Sequence, residues 1–176
     1  VNLVMQLFCQ SFSDMLKARE AFSTEAPLIK HHLIHLHDDH TSRPTLLLTK
    51  FLQIDEHIAS YLLEIDQIDS RLLPFTHLVN PKLKLRDIIL DDEIKHHLDK
   101  LLIHFKDKGL ICHFHGSYGV GRQATAEAIC SELGVPILHI DLDRIVEADT
   151  PLELLVPLIF REGRLQNAAI YFNEYD

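Results

Sequence analysis

Gly116-Ser117-Tyr118-Gly119-Val120-Gly121-Arg122-Gln123 stands between an apolar run, Leu110-Ile111-Cys112-His113-Phe114-His115, and a helix-like stretch, Ala124-Thr125-Ala126-Glu127-Ala128-Ile129. Glycines at 116, 119 and 121 let backbone N–H groups turn toward phosphate oxygens, and a helix that starts directly behind them adds partial positive charge. A complete phosphate cradle of this layout next asks for Lys to reach the outer phosphates and Ser or Thr to hold Mg²⁺. This chain has Arg122 and Gln123 there. The spacing predicts a cradle whose two chemical side chains have been replaced.

On either side of this turn, short apolar runs alternate with helical stripes. Asp91 is a cap for a helix through Ile94, Leu98, Leu101 and Phe105, ended by Lys106, Lys108 and Gly109. Leu110 to His115 reads as a strand, Arg122 to Leu133 as a helix closed by Gly134, and Ile137 to Leu142 as a strand. Pro151 to Arg161 reads as a helix broken or kinked at Pro157, and Ala168 to Glu174 as a further strand. Such alternation implies a parallel sheet in a three-layer α/β domain.

Upstream, Val4, Phe8, Phe12, Met15 and Phe22 recur at helical spacing and predict one core-facing helix over Asn2 to Ala21. The runs Leu28 to Leu36 and Thr45 to Ile54 flank a polar loop with Pro44, the pattern of a long hairpin. Asp55 caps the next stripe, Ile58, Tyr61, Leu62 and Ile65. Periodicity breaks from Leu73-Pro74-Phe75 to Asn80-Pro81, and a linker is placed there, giving domains over residues 1–73 and 74–176.

The composition narrows the chemistry. With 176 residues, 47% of them apolar, the chain is long and apolar enough for a packed core. No apolar stretch reaches membrane-spanning length and no secretory leader pattern opens the chain, so a cytoplasmic location is expected. Cys9, Cys112 and Cys130 form no short paired motif and read as buried thiols. A net charge of −9, with six basic against ten acidic residues over 1–73, opposes binding to nucleic acid and favours protein or small-molecule partners. The thirteen histidines include His35 and His37 on one strand face with His31, His32 and His40 nearby, and His97 and His104 seven apart on one helix. They read as solvated or packing groups, and no metal site is assigned, because no carboxylate or cysteine completes a set at standard spacing. His113 and His115 read as local hydrogen-bonding groups. Nucleophilic catalysis has no local signature.

Ala168-Ala169-Ile170-Tyr171-Phe172-Asn173-Glu174 ends an apolar strand in an acidic pair whose first member is Asn, at the edge where α/β sheets hold ligands. Together with Gly116 to Gln123, Glu127, Ser131-Glu132-Leu133-Gly134 and His139-Ile140-Asp141-Leu142, this resembles the AAA+ ATPase family over residues 74–176. The upstream part, Pro27-Leu28-Ile29 through Asp38-Asp39, then Pro44 to Ile54 and Asp55-Glu56, is similar to the winged-helix-like domain of a bacterial subgroup found with contractile injection systems. The fold implied is a winged-helix-like α+β domain followed by a truncated, degenerate P-loop NTPase domain.

The resemblance further implies that Gly116, Ser117, Tyr118, Gly119, Val120 and Gly121 form the phosphate loop, with Arg122 at the lysine position and Gln123 at the Mg²⁺-ligand position. It puts Asn173 at the second metal-supporting position, Glu174 at the water-activating one, and Asp87, Ile88 and Ile89 beside the adenine. ATP or ADP is then the expected cofactor, with none as the equal alternative. Mg²⁺ is poorly provided for, because Gln has no hydroxyl and Asn no negative charge. The expected role is a nucleotide-binding, regulatory or assembly module with hydrolysis lost. The expected partners are the rest of a homo-oligomeric parent and a protein substrate or injection-system component, with no membrane. An active ATPase and a structural or DNA-binding fragment are the alternatives. The ends at Val1 and Asp176 suggest a piece of a longer protein. In the family's strand order of 5-1-4-3-2, the neighbours of the first strand would follow Asp176. Leu110 to His115 is therefore expected to pair directly with Ala168 to Glu174 or with a second copy.

Overall fold

A computed structural model describes residues 1–38, 46–105, 109–117 and 119–173. Two compact units appear, Val1–Ser70 with Glu153–Leu158, and Arg71–Leu152 with Ile159–Asp176.

The first unit opens with two short helices, α1 (Asn2–Phe8) and α2 (Phe12–Ala18), followed by a 3-10 turn, Arg19–Phe22. The single helix expected over Asn2 to Ala21 is therefore divided. Ser11 causes the restart: its Oγ accepts from Asp14 N at 3.1 Å, while Asp14 Oδ2 accepts from Ser11 N at 3.1 Å. This reciprocal box satisfies N–H groups that open a new helix rather than continue an old one. Met5 is buried, but Leu3, Leu7, Phe8, Phe12 and Leu16 remain exposed.

Helix α3 (Pro27–Lys30) starts on a proline and leads into the strand β1 (Ile34–His37). Strand β1 pairs antiparallel with β2 (Phe51–Ile54), in register from Ile34↔Ile54 to His37↔Phe51. The expected hairpin forms, but its strands are shorter than the apolar runs, because Leu28 to Lys30 is helical and Leu47–Thr49 is a 3-10 turn. Most of the connecting polar loop lies outside the described residues. Asp55 caps α4 (Glu56–Leu62) as expected, its Oδ1 accepting from His57 N at 3.2 Å.

The second unit holds a three-stranded sheet in the order β3 (Thr76–Val79), β4 (Ile137–Asp141), β5 (Ala169–Asn173). Strands β4 and β5 run parallel, as alternating strands and helices imply, but β3 runs antiparallel to β4, so the sheet is mixed. Strand β3 occupies the segment read as a linker. Its alternating Thr-His-Leu-Val suits a strand, and the prolines that suggested a break flank it instead of interrupting it.

Leu110 to His115 forms no strand, and its expected pairing with β5 is absent. A strand is held by its ladder, and Leu110 to His115 makes none, although β5 is the edge strand of the sheet with one side unpaired. The segment contributes by packing instead: Phe114 lies against two apolar clusters, Leu85-Ala128-Ile129 and Ala126-Cys130-Ile137.

The helices of this unit are α5 (Asp92–Phe105), α6 (Arg122–Leu133), the short α7 (Leu142–Glu147) and α8 (Leu152–Leu165), which is shared with the first unit. Asp91 Oδ1 accepts from Glu93 N at 2.8 Å at the start of α5, and left-handed Gly134 closes α6. The lysines expected to end α5 lie outside the described residues. Pro157 sits inside α8 without dividing it. A Cβ at Gly163 would meet Ile170 at 2.8 Å, so a glycine is what lets α8 approach β5. Helix α7 is additional to the expected elements; Asp141 starts it directly at the end of β4, its Oδ1 accepting from Arg144 N at 3.1 Å.

Candidate functional site

Helix α6 opens behind two glycines in the left-handed region, Gly119 at φ 85° and Gly121 at φ 87°. A residue with a Cβ pays about 1–2 kcal/mol for such a conformation, which explains glycine at both positions. Within the turn Val120 N donates to Ser117 O at 3.3 Å, and the first helical bond runs from Thr125 N to Gly121 O at 2.9 Å. No side chain caps α6. The N–H groups of Arg122, Gln123 and Ala124 lie ahead of that first helical bond, in the position that favours an anion.

A cleft of about 280 Å³ lies at the carboxyl ends of β4 and β5, lined in part by His77, Gln123, His139, Asp141, Arg144 and Asn173. Its volume sits just below the usual range for small-molecule pockets, about 300–1,000 Å³. Gln123 and Asn173 are the two residues of the predicted site that line it. Asn173 stands in register with Asp141. Asp87 instead closes a 3-10 turn, its Oδ2 accepting from Lys84 N at 3.2 Å, while Ile88 packs on the Leu85 cluster and Ile89 is 99% exposed. The structure does not bring these three to the cleft. Tyr118 and Glu174 lie outside the described residues.

Mg²⁺ is poorly matched by this donor set. Gln123 Nε2 donates to Glu127 Oε1 at 2.8 Å, and its carboxamide supplies one neutral oxygen and no charge. The Asp141 carboxylate pairs with Arg144 Nε at 3.1 Å. A hard cation needs oxygen ligands held open toward it. Among the described residues no three His, Cys, Asp or Glu donors stand ready around a metal position.

No local pattern marks the imidazole pair that lines the cleft. His77 on β3 and His139 on β4 are register partners whose rings stack at 4.6 Å, 3° from parallel, and Tyr171 meets His139 edge-on at 5.3 Å. His139 Nε2 lies 3.4 Å from Glu127 Oε1 without a well-aligned hydrogen bond. Burial lowers the His139 pKa below the ordinary 6.5, His77 lowers it further, and Glu127 opposes both. The neutral ring is therefore the folded form near pH 7. The unfolded chain binds the proton more readily, so stability is full above about pH 6.5 and falls as the pH drops toward the depressed folded value. Urea unfolding at pH 7.5 and 5.5 should show this acid loss, and His139→Gln should reduce it. An equal loss in the variant would assign the acid sensitivity elsewhere.

Burial, then Cys112 and Glu127, pushes the Cys130 thiol up to about 11, which leaves it protonated and a poor nucleophile. Cys112 is exposed, contrary to the expected buried thiol.

The first unit combines an N-terminal run of helices, a two-stranded antiparallel hairpin and a helix capped at the hairpin's end. Residues 1–76 match the family model described as winged helix domain, variant. That match agrees with the winged-helix part of the resemblance drawn from Pro27 to Glu56. No curated protein matches the chain. Among the described residues no helix is long and apolar enough to cross a membrane.

Proposed function

We propose that residues 74–176 act in the cytoplasm as a nucleotide-holding module of a larger AAA+ ATPase, serving regulation or assembly with hydrolysis lost. The observation that carries this reading is the start of α6. An uncapped helix N-terminus stands behind two left-handed glycines, beside parallel strands whose carboxyl ends bear Asp141 and Asn173. That geometry offers backbone N–H groups to a phosphate without needing a lysine or a metal. Arg122 stands at the lysine position, and would meet a phosphate as a planar fork and not as an ammonium point charge.

Loss of hydrolysis follows from the metal positions. Phosphoryl transfer depends on a cation that takes up charge as the terminal phosphoryl group leaves, and Gln123 and Asn173 hold such an ion poorly. In the winged-helix domain, excess acid and the exposed Leu3, Leu7, Phe8, Phe12 and Leu16 favour protein partners over DNA. Those partners are the rest of a homo-oligomeric ATPase and an injection-system component or other protein substrate.

Restoring the absent chemistry tests the reading. Arg122→Lys, Gln123→Thr and Asn173→Asp made together should raise ADP affinity about tenfold or more when Mg²⁺ is present, and little without it. Unchanged affinity with and without Mg²⁺, in a variant that keeps its circular dichroism spectrum, would reject the assignment of these three positions.

A further inference from the structure

We propose that the charge of Glu127 gates anion binding at the start of α6 and that proton uptake by His139 opens the gate, an inference that rests on the nucleotide reading of this site. Glu127 stands one turn behind Gln123 on α6, and one of its carboxylate oxygens serves two neighbours. Oε1 accepts from Gln123 Nε2 at 2.8 Å and lies 3.4 Å from His139 Nε2. Gln123 and His139 both line the cleft, so this carboxylate joins the helix start to the buried ring. His139 is 3% exposed, and its Nε2 makes no hydrogen bond. A ring nitrogen held this close to a carboxylate gains a charge-assisted bond when the ring takes up a proton.

The surroundings fix the sign. While the ring is neutral, Glu127 keeps a negative charge one turn from the N–H groups that would hold a phosphate, and among the described residues no lysine or arginine pairs with it. Burial and the stacked His77 of β3 keep the proton off His139, and Glu127 favours it. Tyr171 of β5 meets the ring edge-on, and the Asp141–Arg144 pair lines the same cleft. A phosphate at the helix start adds negative charge near the ring and favours its protonated form. By reciprocity the protonated ring favours the phosphate by the same factor. Glu127 and His139 then form a pair of zero net charge, which removes the repulsion. Both side chains are largely withdrawn from water, so salt screens the effect weakly.

Titration of ADP without Mg²⁺ into the 176-residue chain at pH 7.5 and 6.0 tests the gate. ADP itself loses charge across this interval, so the reading is the difference between the parent chain and its variants. The gain in affinity at pH 6.0 over pH 7.5 should be about threefold or more greater in the parent than in His139→Gln. Glu127→Gln keeps an oxygen for Gln123 Nε2 and removes the charge, so at pH 7.5 it should bind ADP about threefold or more tightly than the parent. Its pH dependence should match that of His139→Gln. Without ligand, ¹⁵N NMR should show the Gln123 side-chain amide shifting together with the His139 ring, in a chain whose circular dichroism spectrum is unchanged. ADP binding with the same pH dependence in all three chains, or a Gln123 amide indifferent to the His139 titration, would overturn the gate and leave the nucleotide reading standing. No ADP binding by any of them at either pH would overturn both.

Discussion

Gly121→Val should lower nucleotide affinity by about 100-fold or more. The position is left-handed at φ 87°, where a β-branched residue is disfavoured, so the substitution forces the turn to move. Its first effect falls on the N–H groups that open α6. Each hydrogen bond to a charged group contributes about 1.5–3 kcal/mol, so misdirecting two of them costs at least about 3 kcal/mol. Gly134→Ala is the matched control, since Gly134 is also left-handed, at φ 69°, but stands at the far end of the same helix. It should cost stability and leave affinity nearly unchanged. If Gly121→Val binds as tightly as the parent chain, the phosphate contacts are not made at this helix start.

Leu138→Ala should destabilise the second unit by about 2–5 kcal/mol, the usual cost of emptying a buried leucine site. Leu138 is fully buried on β4, the central strand, and its neighbours Ile137 and Ile140 are buried as deeply, so nothing from solvent can fill the gap. Leu83→Ala, at a site 37% exposed, should cost far less. Chemical denaturation followed by circular dichroism measures both. A loss below 1 kcal/mol at Leu138 would mean that β4 is not the centre of this core.

These expectations separate the parts of the fold that were legible in the sequence from those that were not. Asp55, Asp91 and Gly134 act on groups within a few residues of themselves, so their capping roles were readable from the chain. Ser11 belongs to the same class, but the apolar spacing across it ran on without a break and hid the restart. Thr76–Val79 and Leu110 to His115 depended on remote partners. Both look like possible strands, and only Thr76–Val79 finds a ladder, on β4. The candidate cleft divides in the same way. The glycines, Gln123 and Asn173 were marked by local pattern and by family resemblance. His77 against His139, and Asp55 against His35, are created by strand register and by a hairpin that brings distant positions together.

On this reading the start of α6 holds an anion without catalysis. Equilibrium titration of ADP into the chain, with EDTA and then with Mg²⁺, followed by an ATP turnover assay on the same sample, tests it most directly. Saturable binding at one site in EDTA, little change on adding Mg²⁺ and no turnover is the result expected. Binding that appears only with Mg²⁺, accompanied by ATP hydrolysis, would contradict it.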